Sequence, residues 1–150
     1  MFNKILVAVD GSDSSLKALD YAAHLASHDN AELKMVSAAE PLPPLGIEGT
    51  APSYIPQYQD DLHKSLEKML KKQEARIQKK YPDLKVTTKV IDGRPATVIR
   101  KASKNMDLIV MGHRGQGGIL DWMLGSVAKQ IVDTCTVPVL VIKDKDYCPS

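Results

Sequence analysis

Cysteine and long apolar runs are both scarce in this sequence, and each scarcity removes a class of protein. The 150 residues include only two cysteines, Cys135 and Cys148, too few for a disulfide framework or a cysteine-rich metal site. No stretch approaches the roughly 18 consecutive apolar residues of a membrane-spanning helix. The first residues also lack the pattern of a secretion signal. We therefore expect a cytoplasmic protein that does not enter a membrane.

The sequence also lacks a large excess of positive or negative charge. The formal net charge is +2, which is too small to indicate binding to nucleic acid. Much of the basic character lies in one amphipathic stretch, 68–80, where a solvated helix face accounts for it. Apolar residues make up 43% of the chain and charged residues 25%, as in ordinary globular proteins. This composition predicts one folded domain spanning 1–150.

Five short runs of apolar and β-branched residues predict strands, at 4–9, 31–38, 84–91, 108–111 and 137–142. Helical spacing between the runs predicts helices that begin at Ser12 or Asp13, at Asp60, at Pro95 and at Ser126. This alternation predicts an α/β fold: an open, doubly wound, five-stranded parallel sheet with helices on both faces, of Rossmann-like type. Ligands of such sheets bind beyond the carboxyl ends of the strands, where the strand order reverses.

Proline is concentrated in one part of the chain. Five of the nine prolines lie between Glu40 and Gln57. This density is incompatible with a continuous helix or a central strand. We therefore predict a long surface loop over 40–58, and loops of this length are more often functional or disordered than inert.

Glycine is concentrated after the fourth predicted strand. Five glycines fall within fourteen residues, at Gly112, Gly115, Gly117, Gly118 and Gly125, and a predicted helix begins at Ser126. Glycine lets backbone N–H groups approach a ligand closely, and a helix start offers unpaired donors and a positive dipole end. The arrangement predicts a binding site for a small molecule that carries phosphate, most simply a nucleotide.

Two common phosphate-binding motifs do not fit this stretch. The P-loop requires a lysine between its last glycine and the hydroxyl residue, and Ser126 follows Gly125 directly. The dinucleotide fingerprint requires three glycines after the first strand with a helix immediately behind them. What remains is the pattern Gly112-x2-Gly115-x9-Gly125-Ser126.

This pattern and its flanks resemble the universal stress protein family. ATP-binding members of that family carry G-x2-G-x9-G-[ST] after the fourth strand, with the same spacing. The resemblance covers nearly the whole chain, including the stretches 5–12, 93–95, 107–112 and 137–141. Because the motif stands in the same position and its flanking strands also match, it is a specific sign of this resemblance.

The resemblance implies ATP, accompanied by Mg²⁺, lying across the strand ends. Ala8, Val9 and Asp10 would line the adenosine side, and backbone groups at Ser37 and Ala38 would face the adenine edge. The remaining implied binding residues follow strand four or begin the next helix: Met111, Gly112, His113, Arg114, Gly115, Gly125, Ser126 and Val127. Ala128 departs from some nucleotide-binding members, which have a second hydroxyl residue there, and this departure would weaken phosphate binding without abolishing it.

The last predicted strand suggests how copies of the chain associate. Pro138 at its start favours an edge position, and an exposed apolar edge invites pairing with another strand. We expect a homodimer through 138–142, as the resemblance also implies. A further protein partner would then read the nucleotide state of the dimer.

Several of these residues also have simpler interpretations. The glycines would then form a connection that binds nothing, Asp10 would only cap the first helix, and Arg114 would be an exposed loop cation. His113 is expected to line the site without taking part in chemistry.

Two further features are expected to be structural. His24 and His28 have the spacing of a metal pair but lack a third ligand, so we predict no metal site there. Trp122 and Met123 are expected to anchor the glycine-rich loop on the domain rather than to cover the nucleotide.

Two functional alternatives belong to other classes. One is a dimeric interaction module that binds no nucleotide, as family members without the glycine motif do. The other is an enzyme, an ATP hydrolase or nucleotidyl transferase. The sequence shows neither a general base beside a water site nor a lysine for the γ-phosphate. We therefore predict no catalytic residues and at most slow hydrolysis.

Overall fold

The described residues form a five-stranded parallel sheet in which the first strand lies between the second and the fourth, with the third and the fifth at the two edges. The computed structural model describes residues 1–41, 56–114 and 124–143. The strands are β1 Lys4–Ala8, β2 Glu32–Ala39, β3 Val86–Asp92, β4 Leu108–Gly112 and β5 Val139–Ile142. The helices are α1 Asp13–Asp29, α2 Pro56–Lys80, α3 Pro95–Ala102 and α4 Ser126–Thr134, and a short 3₁₀ turn, Ser103–Asn105, follows α3.

The sheet is covered on both faces by apolar layers. Successive side chains of β1 alternate between them: Ile5 and Val7 enter one core, and Leu6 enters the other. The first core includes buried residues of α1 and α2, and the second includes buried residues of α3 and α4. The predicted doubly wound α/β fold with helices on both faces is therefore confirmed.

The strand order brings the ends of β1 and β4 together. β1 lies between β2 and β4, so the chain leaves β1 toward one side of the sheet and later returns on its other side. This reversal leaves a crevice at the carboxyl ends of the central strands. Within the part of the chain that the structure describes, β5 pairs with β4 alone and is an edge strand, as predicted from Pro138.

The second helix begins earlier than the sequence pattern indicated. α2 starts at Pro56, so the predicted loop over 40–58 is wrong at its C-terminal end. Proline is well suited to the first turn of a helix, because the N–H that it lacks has no intrahelical partner there. The rest of that predicted loop, 42–55, lies outside the described residues.

In the described ranges, no helix combines the length and apolar character needed to cross a bilayer.

Candidate functional site

A cavity of about 580 Å³ opens at the carboxyl ends of β1, β2 and β4. Residues of α2, α3 and α4 form much of the rest of its walls, with Ser15 of α1 and the two residues that follow β2. The lining includes most of the site residues predicted from the sequence: Ala8, Val9, Asp10, Ala38, Met111, Gly112, His113, Arg114, Gly125, Ser126 and Val127. Of the other two, Gly115 lies outside the described residues and Ser37 does not line the cavity.

The backbone of His113 ties the end of β4 to two neighbouring elements. Its N–H donates to the carbonyl of Ile142 at 3.0 Å, and its carbonyl accepts from the N–H of Gly125 at 2.6 Å. The side chain of His113 is only 3% exposed and lies in the cavity wall. The start of α4 is therefore held directly beside the end of β4.

The N-terminus of α4 faces the cavity without a side-chain cap. Its N-cap residue is Gly125, whose carbonyl accepts the first helical hydrogen bond from Lys129 at 3.0 Å. The first turn contains no acidic residue. Gly125, Ser126 and Val127 all line the cavity. The first N–H groups of a helix have no intrahelical acceptor, and together with the positive end of the helix dipole they make this wall suitable for an anion.

The start of α1 differs from that of α4, because a side chain at the start of α1 accepts a hydrogen bond from a backbone N–H of its first turn. The Ser12 hydroxyl accepts from the N–H of Ser15 at 3.2 Å, and Asp13 follows in the first turn. The carboxylate of Asp10 accepts from both the N–H and the hydroxyl of Ser12. Asp10 thus orients the cap and is not itself the cap, while it also lines the cavity.

Gly112 lies where β4 passes very close to α1. A Cβ atom placed on Gly112 would lie 2.8 Å from the backbone carbonyl carbon and oxygen of Ser14, and closer still to the Ser14 hydroxyl. Such separations are well inside van der Waals contact, and the nearest backbone belongs to a helix. Glycine is therefore needed here for space.

The end of β2 contributes backbone rather than side-chain groups. The Ser37 hydroxyl is buried and donates to the carbonyl of Val9 at 2.5 Å, so it has a structural contact. The carbonyl of Val36 accepts from the N–H of Val9 at 2.9 Å and therefore points toward β1. Because alternate residues of a strand direct their backbone groups to the same side, those of Ala38 point past the end of β1.

One wall of the cavity was missed from the sequence. Tyr58, Leu62 and Leu66 of α2 line it. Pro95 and Ile99 of α3, which packs on the other face of the sheet, also line the cavity and are likewise absent from the predicted site residues. The sequence pattern predicts α2 only from Asp60, and Tyr58 falls in the predicted loop over 40–58. The spacing i, i+4, i+8 becomes visible only once the helix is extended back to Pro56.

The described residues contain no group of three or more His, Cys, Asp or Glu side chains arranged to bind a metal ion. His24 and His28 are both exposed, and Nδ1 of His28 contacts the Asp29 carboxylate at 3.0 Å. Cys135 is a free, half-buried cysteine. Trp122 and Met123 lie outside the described residues.

Comparison with known proteins agrees with this architecture. The model of the universal stress protein family matches residues 1–143. Universal stress protein YxiE of Bacillus subtilis is 36% identical over 148 residues, covering 95% of this chain and 100% of the relative. The chain therefore belongs to the universal stress protein family.

Two solved structures share the fold at lower identity. One is a universal stress protein in complex with cAMP, with 23% identity and a TM-score of 0.68, covering 95% of this chain and 97% of that one. The other is the universal stress protein from Archaeoglobus fulgidus in complex with dAMP, with 21% identity and a TM-score of 0.68, covering 94% and 98%. At 21–23% sequence identity, this structural similarity establishes the fold alone.

Proposed function

We propose that this protein binds an adenine nucleotide in the cavity at the strand ends, and that the nucleotide is ATP. The observation that carries the proposal is the uncapped N-terminus of α4, which presents Gly125, Ser126 and Val127 to the cavity. A helix start that lacks both a side-chain cap and an acidic residue leaves its donors available to phosphate oxygens. Two family members in complex with cAMP and dAMP support an adenine nucleotide as the occupant.

The base would lie at the opposite end of the cavity, beside β2. There the N–H and C=O of Ala38 point past the end of β1 and offer a donor and an acceptor to the edge of adenine. Ala8, Val9 and Asp10 would lie along the adenosine. Arg114 and His113 would lie along the ribose and phosphates. Gly112, just before them, has no side chain and so lets the start of α1 lie close to β4.

Mg²⁺ fits this lining as a companion of the triphosphate. It is usually held by one or two carboxylates together with phosphate oxygens and water. Of the two lining carboxylates, Asp10 follows β1, which is the neighbour of β4, whereas Glu40 follows β2 at the base end, so we propose Asp10 for this purpose. The ion would neutralise part of the phosphate charge when bound. The described lining contains no lysine, so we propose at most slow hydrolysis.

The output of binding would be regulatory. We propose a single-domain cytoplasmic protein that acts in the stress response as a homodimer and whose nucleotide state is read by a protein partner. Among the described residues no strand pairs with the outer edge of β5, and this supports the dimer. The carbonyls of Pro138 and Ile142 bond to β4, so the backbone groups of Val139 and Val141 point outward. These outward groups are available to a second copy of the same strand.

The experiment is to denature purified protein and identify any released nucleotide by chromatography. The variant Gly125→Val tests the phosphate end, because φ −61° and ψ 159° suit any residue and the new side chain would enter the cavity. Thr134→Val, at the other end of the same helix, is the matched control. We expect adenine nucleotide from the wild type and the control but not from Gly125→Val. A wild type that is empty and gives no calorimetric signal with ATP and Mg²⁺ would instead favour an interaction module without nucleotide.

A further inference from the structure

The cavity has two ends of different chemistry. At the β4 end, the N-terminus of α4 provides backbone donors, and Arg114 lies beside it. At the β2 end, the wall includes apolar and aromatic side chains from α2. β1 separates β2 from β4, so the two ends are about 10 Å apart. A ligand that contacts both ends must therefore carry an anionic group and an apolar group separated by about the same distance.

The α2 wall is an apolar face that no other part of the described protein covers completely. Tyr58, Leu62 and Leu66 follow one another at intervals of four residues and all line the cavity. Leu62 and Leu66 are half-buried, and Tyr58 is 41% exposed. One turn beyond Leu66, Leu70 is fully packed in the core. The helix thus divides its apolar positions between the core and the cavity.

Gln59 holds the first turn of α2 in place. Its side-chain amide is buried and donates to the carbonyl of Ala39 at 3.0 Å and to the Asp92 carboxylate at 3.1 Å. These contacts connect the helix start to the ends of β2 and β3. Tyr58, the preceding residue, is thereby held near the end of β2, where the backbone of Ala38 lines the cavity. A side chain at such an anchored position loses little freedom when a ligand covers it.

We propose that Tyr58 stacks on the base of the bound nucleotide and that Leu62 and Leu66 continue the same wall, which makes this face of α2 a determinant of base recognition. The inference deepens the proposed function and rests on it. A flat heteroaromatic ring is the occupant that matches both neighbours at this end. Its faces contact apolar and aromatic side chains, and its edge bonds to the backbone of Ala38. A fully apolar ligand would leave the donors of α4 unused.

The test compares ligands with and without a base. Calorimetry would measure binding of ATP and of inorganic tripolyphosphate, each with Mg²⁺, to wild type, Tyr58→Ala and Tyr58→Phe. Stacking on an aromatic side chain predicts that Tyr58→Ala weakens ATP binding about 5- to 150-fold. Tripolyphosphate binding should not change, and Tyr58→Phe should bind ATP like the wild type. Tyr21→Ala is the matched control, since Tyr21 is a similarly exposed tyrosine on α1 that does not line the cavity.

A spectroscopic measurement separates stacking from a general loss of affinity. 2-Aminopurine riboside triphosphate, added at saturating protein, should be quenched by wild type and Tyr58→Phe and should remain brighter with Tyr58→Ala. Unchanged ATP affinity in Tyr58→Ala, or equal losses for ATP and tripolyphosphate, would overturn the inference while leaving the proposed function intact. A wild type that binds neither ligand would overturn both.

Discussion

The contact between Gly112 and α1 predicts a large effect from a very small substitution. Gly112→Ala adds one methyl group that would lie 2.8 Å from the Ser14 carbonyl carbon and oxygen. Ser14 is in the first turn of α1, where the Ser12 cap holds the backbone, and β4 is the buried neighbour of β1. Neither element moves easily, because both belong to the packed centre of the fold. The methyl group must therefore separate the end of β4 from the start of α1.

The size of the effect follows from the nature of the contact. Overpacking of a well-packed region typically costs about 1–3 kcal/mol. Since the contact is with helix backbone and not with the end of a flexible side chain, we expect a loss of about 2–3 kcal/mol in the free energy of unfolding. For a protein of this size each kcal/mol lowers Tm by about 2–4 °C, so Tm should fall by about 4–12 °C.

The assay is urea unfolding followed by circular dichroism, with thermal melts alongside. Gly125→Ala is the matched control, because Gly125 borders the same cavity and has φ −61°, which alanine adopts without strain. We expect the control to stay within about 0.5 kcal/mol of the wild type, since lost N-capping and reduced chain entropy nearly offset each other. Equal stability of Gly112→Ala and wild type would refute the close approach of β4 and α1.

Three further predictions concern other parts of the chain. Gln59→Glu replaces a buried donor by an acceptor that faces two acceptors, so the free energy of unfolding in urea should fall by about 1–3 kcal/mol. The control Gln78→Glu changes an exposed residue of the same helix and should not lower it. Equal losses in the two variants would contradict the anchoring of α2. Two backbone N–H groups that donate to Asp107 hold the pKa of its carboxyl below the usual range, so the stability lost in Asp107→Asn at pH 7 should shrink as pH falls below about 4. If the stability difference between wild type and Asp107→Asn instead grew toward low pH, it would contradict a lowered pKa of Asp107. Val141→Pro, which removes an outward N–H of β5, should convert a dimer to a monomer in analytical ultracentrifugation, and Val141→Thr should not; a dimeric Val141→Pro would place the interface elsewhere.

The sheet could be predicted from the sequence because its strands are short and separated by helices, and because its three central strands are largely buried. Runs such as Leu108–Met111 have almost no alternative as strands, and a chain that alternates strand and helix has few possible topologies. The edge position of β5 followed from Pro138, which cannot donate to a strand on its N–H side. The meeting of β1 and β4 then placed Asp10 and Gly112 in one cavity.

The α2 wall could not be predicted, for physical reasons that concern Pro56 and the polar residues after it. Proline density suggested a loop, but one proline is favourable in the first turn of a helix. Gln59 is buried because its amide bonds to strand ends that are distant in sequence. Periodicity shows that Leu62 and Leu66 share a face with other apolar residues. It does not show that this part of the face lines a cavity rather than the core.

The most direct test of the account is a calorimetric series with adenosine, AMP and ATP on nucleotide-free protein in the presence of Mg²⁺. If α4 holds the phosphates, AMP should bind about tenfold or more tightly than adenosine, because a hydrogen bond to a charged group contributes about 1.5–3 kcal/mol. ATP should bind more tightly again, and Gly125→Val should remove the gain while leaving adenosine binding unchanged. Affinity that is independent of phosphate, or equally phosphate-dependent in Gly125→Val, would contradict a phosphate site at the start of α4.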